Sequence, residues 1–291
     1  MIWQIRHDFI SLDFLQGIHA RDVQEGRTEG YLLEQFVFCA NILTLPFWLA
    51  GLYYYFFSGE GRRFRLMGWL YVIPFGLYLI AQGRSYYQAP AYPMLIAAGA
   101  VMWERWRESL SAGRSLAVLR TTWGMLVAGT AFSAILTLPI APIGSPVFKF
   151  TAEVHDLFTE QIGWPEMVRT VADIYAVIPA QDKAHTGILT AENDEAAALN
   201  LFGPAYGLPK AISGSDTFWL RGYGDPPPET LIVLGFDSAW AQGLFSECQW
   251  AGRITNAYGI ANDLANPPDI FLCRKPRLPW PELWNRLKHY S

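Results

Sequence analysis

Long uncharged stretches alternate with short charged segments over the first 150 residues of the chain. Uncharged runs of 25, 18, 19 and 28 residues lie between Glu34 and Glu60, Arg65 and Arg84, Arg84 and Glu104, and Arg120 and Lys149. A helix needs about 20 apolar residues to cross a bilayer. The pattern therefore predicts about four transmembrane helices, at roughly 31–57, 66–82, 86–103 and 119–141. The alternative is a set of buried helices in a large soluble core.

After residue 150 the pattern changes to short apolar segments separated by polar turns. Apolar residues recur at helical spacing in 163–179 and 193–202, and Asn193 or Asp194 is the expected N-cap of the second helix. Strand patterns occupy 186–190, 230–236 and 269–276. This alternation predicts a small α/β domain with a largely parallel sheet. The predicted division is an outward-facing loop at 1–30, a transmembrane region at 31–141 and an α/β domain at 142–291.

Composition and charge agree with a chain that lies partly in lipid. Charged residues make up 16% of the chain and hydrophobic residues 52%, whereas soluble domains average about 25% charged residues. The segments 58–65 and 104–120 hold three and four arginines, while Arg84 is the only cation between the second and third runs. Because positive loops stay in the cytoplasm, residues 142–291 are expected on the outer side of the membrane.

The N-terminal 30 residues are polar and contain no apolar signal-peptide core. We therefore expect one of two arrangements. Either the first apolar run carries this segment across the membrane, or the chain is the back part of a longer membrane protein.

Motifs of soluble enzymes are missing from the sequence. It contains no phosphate-binding glycine loop and no Gly-x-Ser-x-Gly, and His7, His19, His155, His185 and His289 lack the spacing of metal ligands. No metal, no cofactor and no nucleic-acid partner are expected. Cys248 and Cys273 both fall in the α/β segment, where either a disulfide or two buried thiols is consistent with the sequence.

The sequence "GRSYYQAPAYPMLIAAGA" places Arg84, Tyr86 and Tyr87 just before an apolar run that contains Pro90 and Pro93. One interpretation is an aromatic belt with an interfacial arginine. The other is a site for a lipid phosphate, because a guanidinium fork and phenol hydroxyls donate hydrogen bonds to phosphate oxygens. The two prolines are expected to interrupt the helix here.

The longer stretch "GRSYYQAPAYPMLIAAGAVMWER" resembles the lipid-facing segment of bacterial family-39-type membrane glycosyltransferases, a superfamily that includes protein mannosyltransferases and aminoarabinose transferases. The segments "AENDEAAALNLFGPAYGLPKAISGSDTFWLRGYG" and "WPELWNRLKHY" resemble the C-terminal region of the same proteins. The resemblance implies a membrane all-α region of the GT-C type followed by an extracytoplasmic α/β domain. It also implies transfer of a sugar from a polyprenyl-phosphate donor to an unknown acceptor.

The chain departs from this family in its acidic residues. The family's catalytic carboxylates lie in a first outward loop, whereas the N-terminal segment here has Asp8, Asp13 and Asp22 without an adjacent acidic pair. The expected function is therefore the C-terminal portion of such a glycosyltransferase, inactive without an N-terminal half, with Arg84, Tyr86 and Tyr87 binding the lipid phosphate. Catalytic residues stay unassigned. The alternative is a non-enzymatic membrane protein whose exported domain binds a partner.

The terminal segment "CRKPRLPWPELWNRLKHYS" combines five cations with two tryptophans. It is expected to rest near the lipid headgroups through Trp280 and Trp284. The alternative is a tail that packs on the α/β domain.

Overall fold

The computed structural model describes residues 2–7, 9–26, 28–154 and 157–290. Asp8 and His155, which entered the sequence argument, and Ser291 of the terminal segment lie outside these ranges. The chain divides into two compact units, residues 1–140 and 141–291.

The first unit is helical. Its α-helices are α1 (Ile2–Arg6), α2 (Ile10–Gln24), α3 (Tyr31–Glu34), α4 (Leu45–Phe57), α5 (Arg65–Ile80), α6 (Tyr92–Glu108) and α7 (Ala112–Thr137). A π-helix (Gln35–Cys39) follows α3, and 3₁₀ turns occupy Ile42–Thr44, Glu60–Phe64 and Ser85–Ala91. Helices α4 and α6 pack closely because glycines lie where they meet. A Cβ on Gly51 would lie 2.0 Å from the Leu95 carbonyl oxygen.

The predicted fold class, with four transmembrane helices in a GT-C type bundle, is wrong. Within the described residues no single helix is long and apolar enough to cross a membrane; Tyr31–Cys39 and Ile42–Phe57 meet the criteria only as a pair, bent by 84°. Helix α5 has 16 residues, or about 24 Å of rise against a hydrocarbon core of about 30 Å. Helix α7 is longer, but Arg114 and Arg120 lie in its first third.

The second unit is built on a five-stranded mixed sheet. Its helices are α8 (Pro146–Val154), α9 (Leu157–Glu160), α10 (Trp164–Ala176), α11 (Ala180–Lys183), α12 (Asn193–Phe202), α13 (Ser238–Leu244) and α14 (Trp280–Leu287). Its strands are β1 (Thr186–Thr190), β2 (Ala211–Ser213), β3 (Thr230–Leu234), β4 (Phe245–Arg253) and β5 (Asp269–Pro276), in the order β2-β1-β3-β5-β4. The strands predicted at 186–190 and 269–276 are confirmed.

The sheet is parallel only over β2, β1 and β3, because β5 runs antiparallel to β3 and β4 antiparallel to β5. The prediction of a largely parallel sheet is thus corrected to a mixed one. Alternate residues of the central strands point to opposite faces of the sheet and pack into two hydrophobic cores. Ile188 and Ile232 pack with α10 and α12, and Leu189 packs with α13 and α14.

The terminal helix α14 belongs to the second of these cores. Trp284 is 5% exposed. Its indole N–H donates to the Trp219 carbonyl at 3.0 Å, and the Trp219 indole N–H donates to the Trp284 carbonyl at 3.0 Å. The interpretation of Trp284 as an interfacial residue is therefore wrong, and the packed tail is the arrangement found.

At two places the structure corrects a prediction or decides between two predicted alternatives. The N-cap of α12 is Glu192 and neither of the predicted residues, Asn193 or Asp194, because the side chains of Glu192 and Glu195 form a reciprocal capping box. Cys248 and Cys273 face each other on β4 and β5 and form a disulfide.

Candidate functional site

The three predicted site residues lie in the segment that joins α5 to α6. Residues Ser85–Ala91 form a 3₁₀ turn that contains Pro90, and Pro93 falls in the first turn of α6. Proline is tolerated at a helix start because no intrahelical N–H bond is needed there. The prolines thus interrupt the helix as expected and leave Arg84 in extended backbone before the turn.

Arg84 is held by a buried carboxylate. Its Nε and Nη2 atoms donate to the two Asp22 oxygens at 2.5 and 2.6 Å, in a bidentate arrangement. The side chain of Asp22 is 4% exposed and that of Arg84 24%. These bonds to Asp22 raise the pKa of the guanidinium. Helix α2 therefore fixes the position of the cation from 62 residues away in sequence.

The two tyrosines lie beside this pair at the surface. The Arg84 Nη1 donates to the Tyr86 hydroxyl at 2.9 Å. Tyr86 and Tyr87 are 51% and 44% exposed, and their ring centroids are 4.8 Å apart in an edge-on arrangement. Burial raises the pKa of the Tyr87 phenol. The structure thus brings all three predicted residues together.

A buried hydrogen-bond network supports the backbone of this segment from below. The Gln35 side chain donates to the Ser85 carbonyl at 3.1 Å and accepts from the Tyr92 hydroxyl at 2.9 Å. The Gln88 amide donates to the Tyr71 carbonyl at 3.1 Å. Gln35 and Gln88 are 2% and 1% exposed. Buried, hydrogen-bonded amides rigidify their surroundings, so these bonds hold the turn that carries the tyrosines.

Sequence reasoning missed Asp22, Gln35 and Gln88 as members of this site. Asp22 was considered only for its lack of an acidic neighbour, and nothing local connects it with Arg84. Gln88 did carry a signal, since it is the only amide in the uncharged run 85–103.

A second polar cluster lies at the carboxyl end of the parallel strands in the other unit. The His289 Nε2 lies 3.5 Å from Glu192 Oε1, and the Ser215 hydroxyl donates to Glu192 Oε2 at 3.4 Å. Asn193 donates to Asp216. These residues come from the loops after β1 and β2 and from the end of the chain. The segments 193–196 and 213–216 therefore meet here.

Two groups of this cluster have raised pKa values. The bond to Glu192 raises the pKa of His289, whose Nδ1 is 2.9 Å from the Leu287 carbonyl oxygen. Burial raises the pKa of Glu195 to about 8. Glu195 therefore exchanges its proton near neutral pH.

The described residues contain no group of three or more His, Cys, Asp or Glu side chains placed to bind a metal. No family profile matches the chain. Searches of characterised proteins and of solved structures also return no match. The resemblance to membrane glycosyltransferases therefore stays a prediction.

Proposed function

We propose that this chain is the lipid-phosphate-binding portion of a glycosyltransferase that uses a polyprenyl-phosphate-linked sugar. The observation that carries the proposal is the cluster of Arg84, Tyr86 and Tyr87 at one surface turn, fixed by Asp22. The catalytic residues of that transfer stay unassigned.

The cluster offers several donors to a phosphate. A guanidinium has five N–H donors, and three of those on Arg84 bond to Asp22 and Tyr86. Two N–H groups remain, together with one phenol proton of the Tyr86–Tyr87 pair, whose side chains bond to each other. Asp22 is shared between Arg84 and Arg21, whose Nη2 lies 3.7 Å from Asp22 Oδ1, so the ligand would meet remaining positive charge as well as short-range hydrogen bonds.

Contact with a bilayer is supported by α5. Its exposed side chains follow helical spacing and form an apolar stripe: Leu66, Trp69, Leu70, Ile73, Leu77 and Ile80, at 49–83% exposure. Exposed apolar surface of this extent marks a site of interaction with lipid or protein. The stripe ends four residues before Arg84. A lipid tail lying along α5 would therefore bring its phosphate to the turn.

The disulfide supports an extracytoplasmic position for the second unit. Disulfides persist in oxidising compartments such as the periplasm and are rare in the cytosol. The Cys248–Cys273 bond is accordingly in keeping with a unit on the outer side of the inner membrane.

The test is flotation of the full chain with phosphatidylcholine vesicles, with and without polyprenyl phosphate. Charge-assisted hydrogen bonds contribute about 1.5–3 kcal/mol, so Arg84→Ala should weaken the polyprenyl-phosphate-dependent binding by roughly tenfold to a hundredfold. Arg84→Lys should recover part of it, because an ammonium lacks the fork. Tyr86→Phe should weaken it less.

Two further variants separate the contribution of the phosphate site from that of the apolar stripe on α5. Asp22→Asn should tighten phosphate binding, because it removes the competing carboxylate while keeping an oxygen acceptor. Ile73→Asp should reduce binding to both kinds of vesicle. Arg105→Ala, which removes an exposed arginine paired with Glu60, is the matched control. Equal binding of the wild type, Arg84→Lys and Tyr86→Phe would refute the phosphate site.

A further inference from the structure

Two open grooves lie at the amino ends of the parallel strands in the second unit, opposite the His289 cluster. Their volumes are about 700 and 520 Å³, within the size range of small-molecule sites. The prolines at 226–228 and His185 line both grooves. The two grooves therefore adjoin along one stiff proline segment, and we call them the amino-end grooves.

Basic side chains outnumber acidic ones along these walls. Arg274 and Lys275 line the larger groove, where Lys275 is paired with Glu247, and Lys210 and Arg221 line the smaller one. The acidic residues of the walls are Asp182 and Glu229, both in the larger groove.

This excess of basic residues is opposite in sign to the net charge of the second unit. From residue 150 onward the chain has 17 acidic and 10 basic residues. Several of the acidic ones follow β1, β2 and β3 at the other end of the sheet, namely Glu192, Asp194, Glu195, Asp216 and Asp237. The amino-end grooves are thus a cationic site on an anionic unit.

The larger groove holds its arginine in a defined position. The Arg274 Nε donates to the Thr230 hydroxyl at 3.1 Å, and its Nη2 lies 3.9 Å from Asp182. The side chain remains 44% exposed. The fork is therefore oriented by β3 and accessible from the groove.

An aromatic pair spans the two grooves. Trp280 lines the larger one and Tyr223 the smaller, and their rings stack with centroids 5.0 Å apart and an interplanar angle of 21°. Tyr223 also contacts the buried Trp284 edge-on at 5.7 Å. The pair is thus anchored to the core and presents rigid, amphipathic surface.

We propose that the amino-end grooves bind an acidic saccharide. Flat aromatic and proline rings match the apolar C–H faces of pyranose rings, and the guanidinium and ammonium groups match carboxylates. The paired grooves have room for more than one sugar. A nucleic acid fits less well, because its affinity depends on neutralising many phosphates, and the unit as a whole is anionic. The proposal rests on residues of the second unit alone and does not depend on the proposed function.

The test is calorimetric titration of the full chain with tetragalacturonate, a chain of four uronic acids, and with the neutral maltotetraose. The wild type should bind tetragalacturonate and bind maltotetraose at least tenfold more weakly. Replacing both Lys210 and Arg274 by Gln should weaken tetragalacturonate binding tenfold or more. Trp280→Leu should weaken the binding of both saccharides.

Matched controls lie at the other end of the same unit. Arg253→Gln removes an exposed arginine paired with Asp269, and Trp250→Leu removes a 63% exposed tryptophan; neither should change the titration. Three results would overturn the proposal: no binding of tetragalacturonate, equal binding of maltotetraose, or complete displacement by inorganic phosphate at matched ionic strength. Tighter binding of a single-stranded oligonucleotide would assign the grooves to nucleic acid instead.

Discussion

The buried Glu195 carboxyl group predicts that the second unit loses stability as the pH rises through neutrality. Glu195 is 3% exposed in the first turn of α12. A Cβ on Gly235 would lie 2.7 Å from its Oε2, so the backbone after β3 covers it closely. Burial raises its pKa from 4.5 to about 8, and the neighbouring carboxylates of Asp194 and Glu192 act in the same direction. At pH 7 the folded protein therefore keeps this proton.

The sign and size follow from linkage. In the unfolded chain Glu195 loses its proton near pH 4.5, whereas in the folded chain it does so near pH 8. The stabilisation is fully present below pH 4.5 and is lost as the pH rises through 8. Between these values each pH unit costs up to about 1.4 kcal/mol. From pH 5.5 to 7.5 the expected loss is therefore up to about 3 kcal/mol.

Glu195→Gln should remove this loss. An amide keeps the shape of the protonated acid, and its oxygen can accept the Glu192 N–H that Glu195 accepts at 3.1 Å. Hydrogen exchange of peptides from β1 and β3 measures the opening free energy, and intrinsic exchange rates cancel when wild type and variant are compared at one pH. The ratio of variant to wild-type protection should rise up to about a hundredfold from pH 5.5 to 7.5.

His289 changes stability with the same sign, because its pKa is also raised and its pair with Glu192 is lost as the pH rises. Its contribution is present in both proteins and cancels in the ratio. Glu282→Gln, which removes an exposed carboxylate from the first turn of α14, controls for the change in charge. A protection ratio that stays constant from pH 5.5 to 7.5 would show that Glu195 is ionised in the folded protein and would refute the reasoning.

Two other predictions concern the same unit. Gly214→Ala should destabilise this unit by about 1–3 kcal/mol and increase proteolysis at the chain end, because the new Cβ would lie 2.1 Å from the Leu287 carbonyl oxygen. Gly243→Ala is the control, because Gly243 has open space around it. Equal proteolysis of the two variants would contradict the expectation. Reduction of the Cys248–Cys273 disulfide, which closes a loop of sequence separation 25, should lower the urea stability by about 3 kcal/mol. An unchanged urea midpoint under dithiothreitol would argue against that stabilisation.

The sequence predicted the inner strands of the second unit well and its edge poorly. Strands β1 and β5 have apolar runs bounded by turn residues, so local pattern was enough. Strand β4 is mostly exposed, with Ser246, Glu247, Gln249 and Trp250 along it. Its position depends on pairing with β5 and on the disulfide, which are non-local contacts that no run of residues indicates.

The error in the first unit has a related cause. Counting uncharged residues measures the spacing between charges but not where a helix begins. The run from 85 to 103 loses its first seven residues to the 3₁₀ turn around Pro90, and the run after Glu34 is broken between the π-helix and α4. Both interruptions lie at the Arg84 site, where Gln35 bonds to Ser85. The helices were predicted as too long at the place where the candidate site is built.

The Asp22–Arg84 pair changes how a phosphate would be recognised at that site. A lone arginine attracts anions over a Debye length, roughly 8–10 Å in physiological salt. Here Asp22, which is shared between Arg84 and Arg21, offsets part of that charge. Removing one partner of such a pair costs more free energy than the pair contributes to stability. The pair therefore fixes the position of Arg84 more than it helps Arg84 to attract anions. Delivery of the ligand then falls to the apolar stripe on α5, which ends beside the turn. A phosphate attached to a long hydrocarbon tail satisfies both requirements, whereas a soluble phosphate satisfies only the hydrogen bonds.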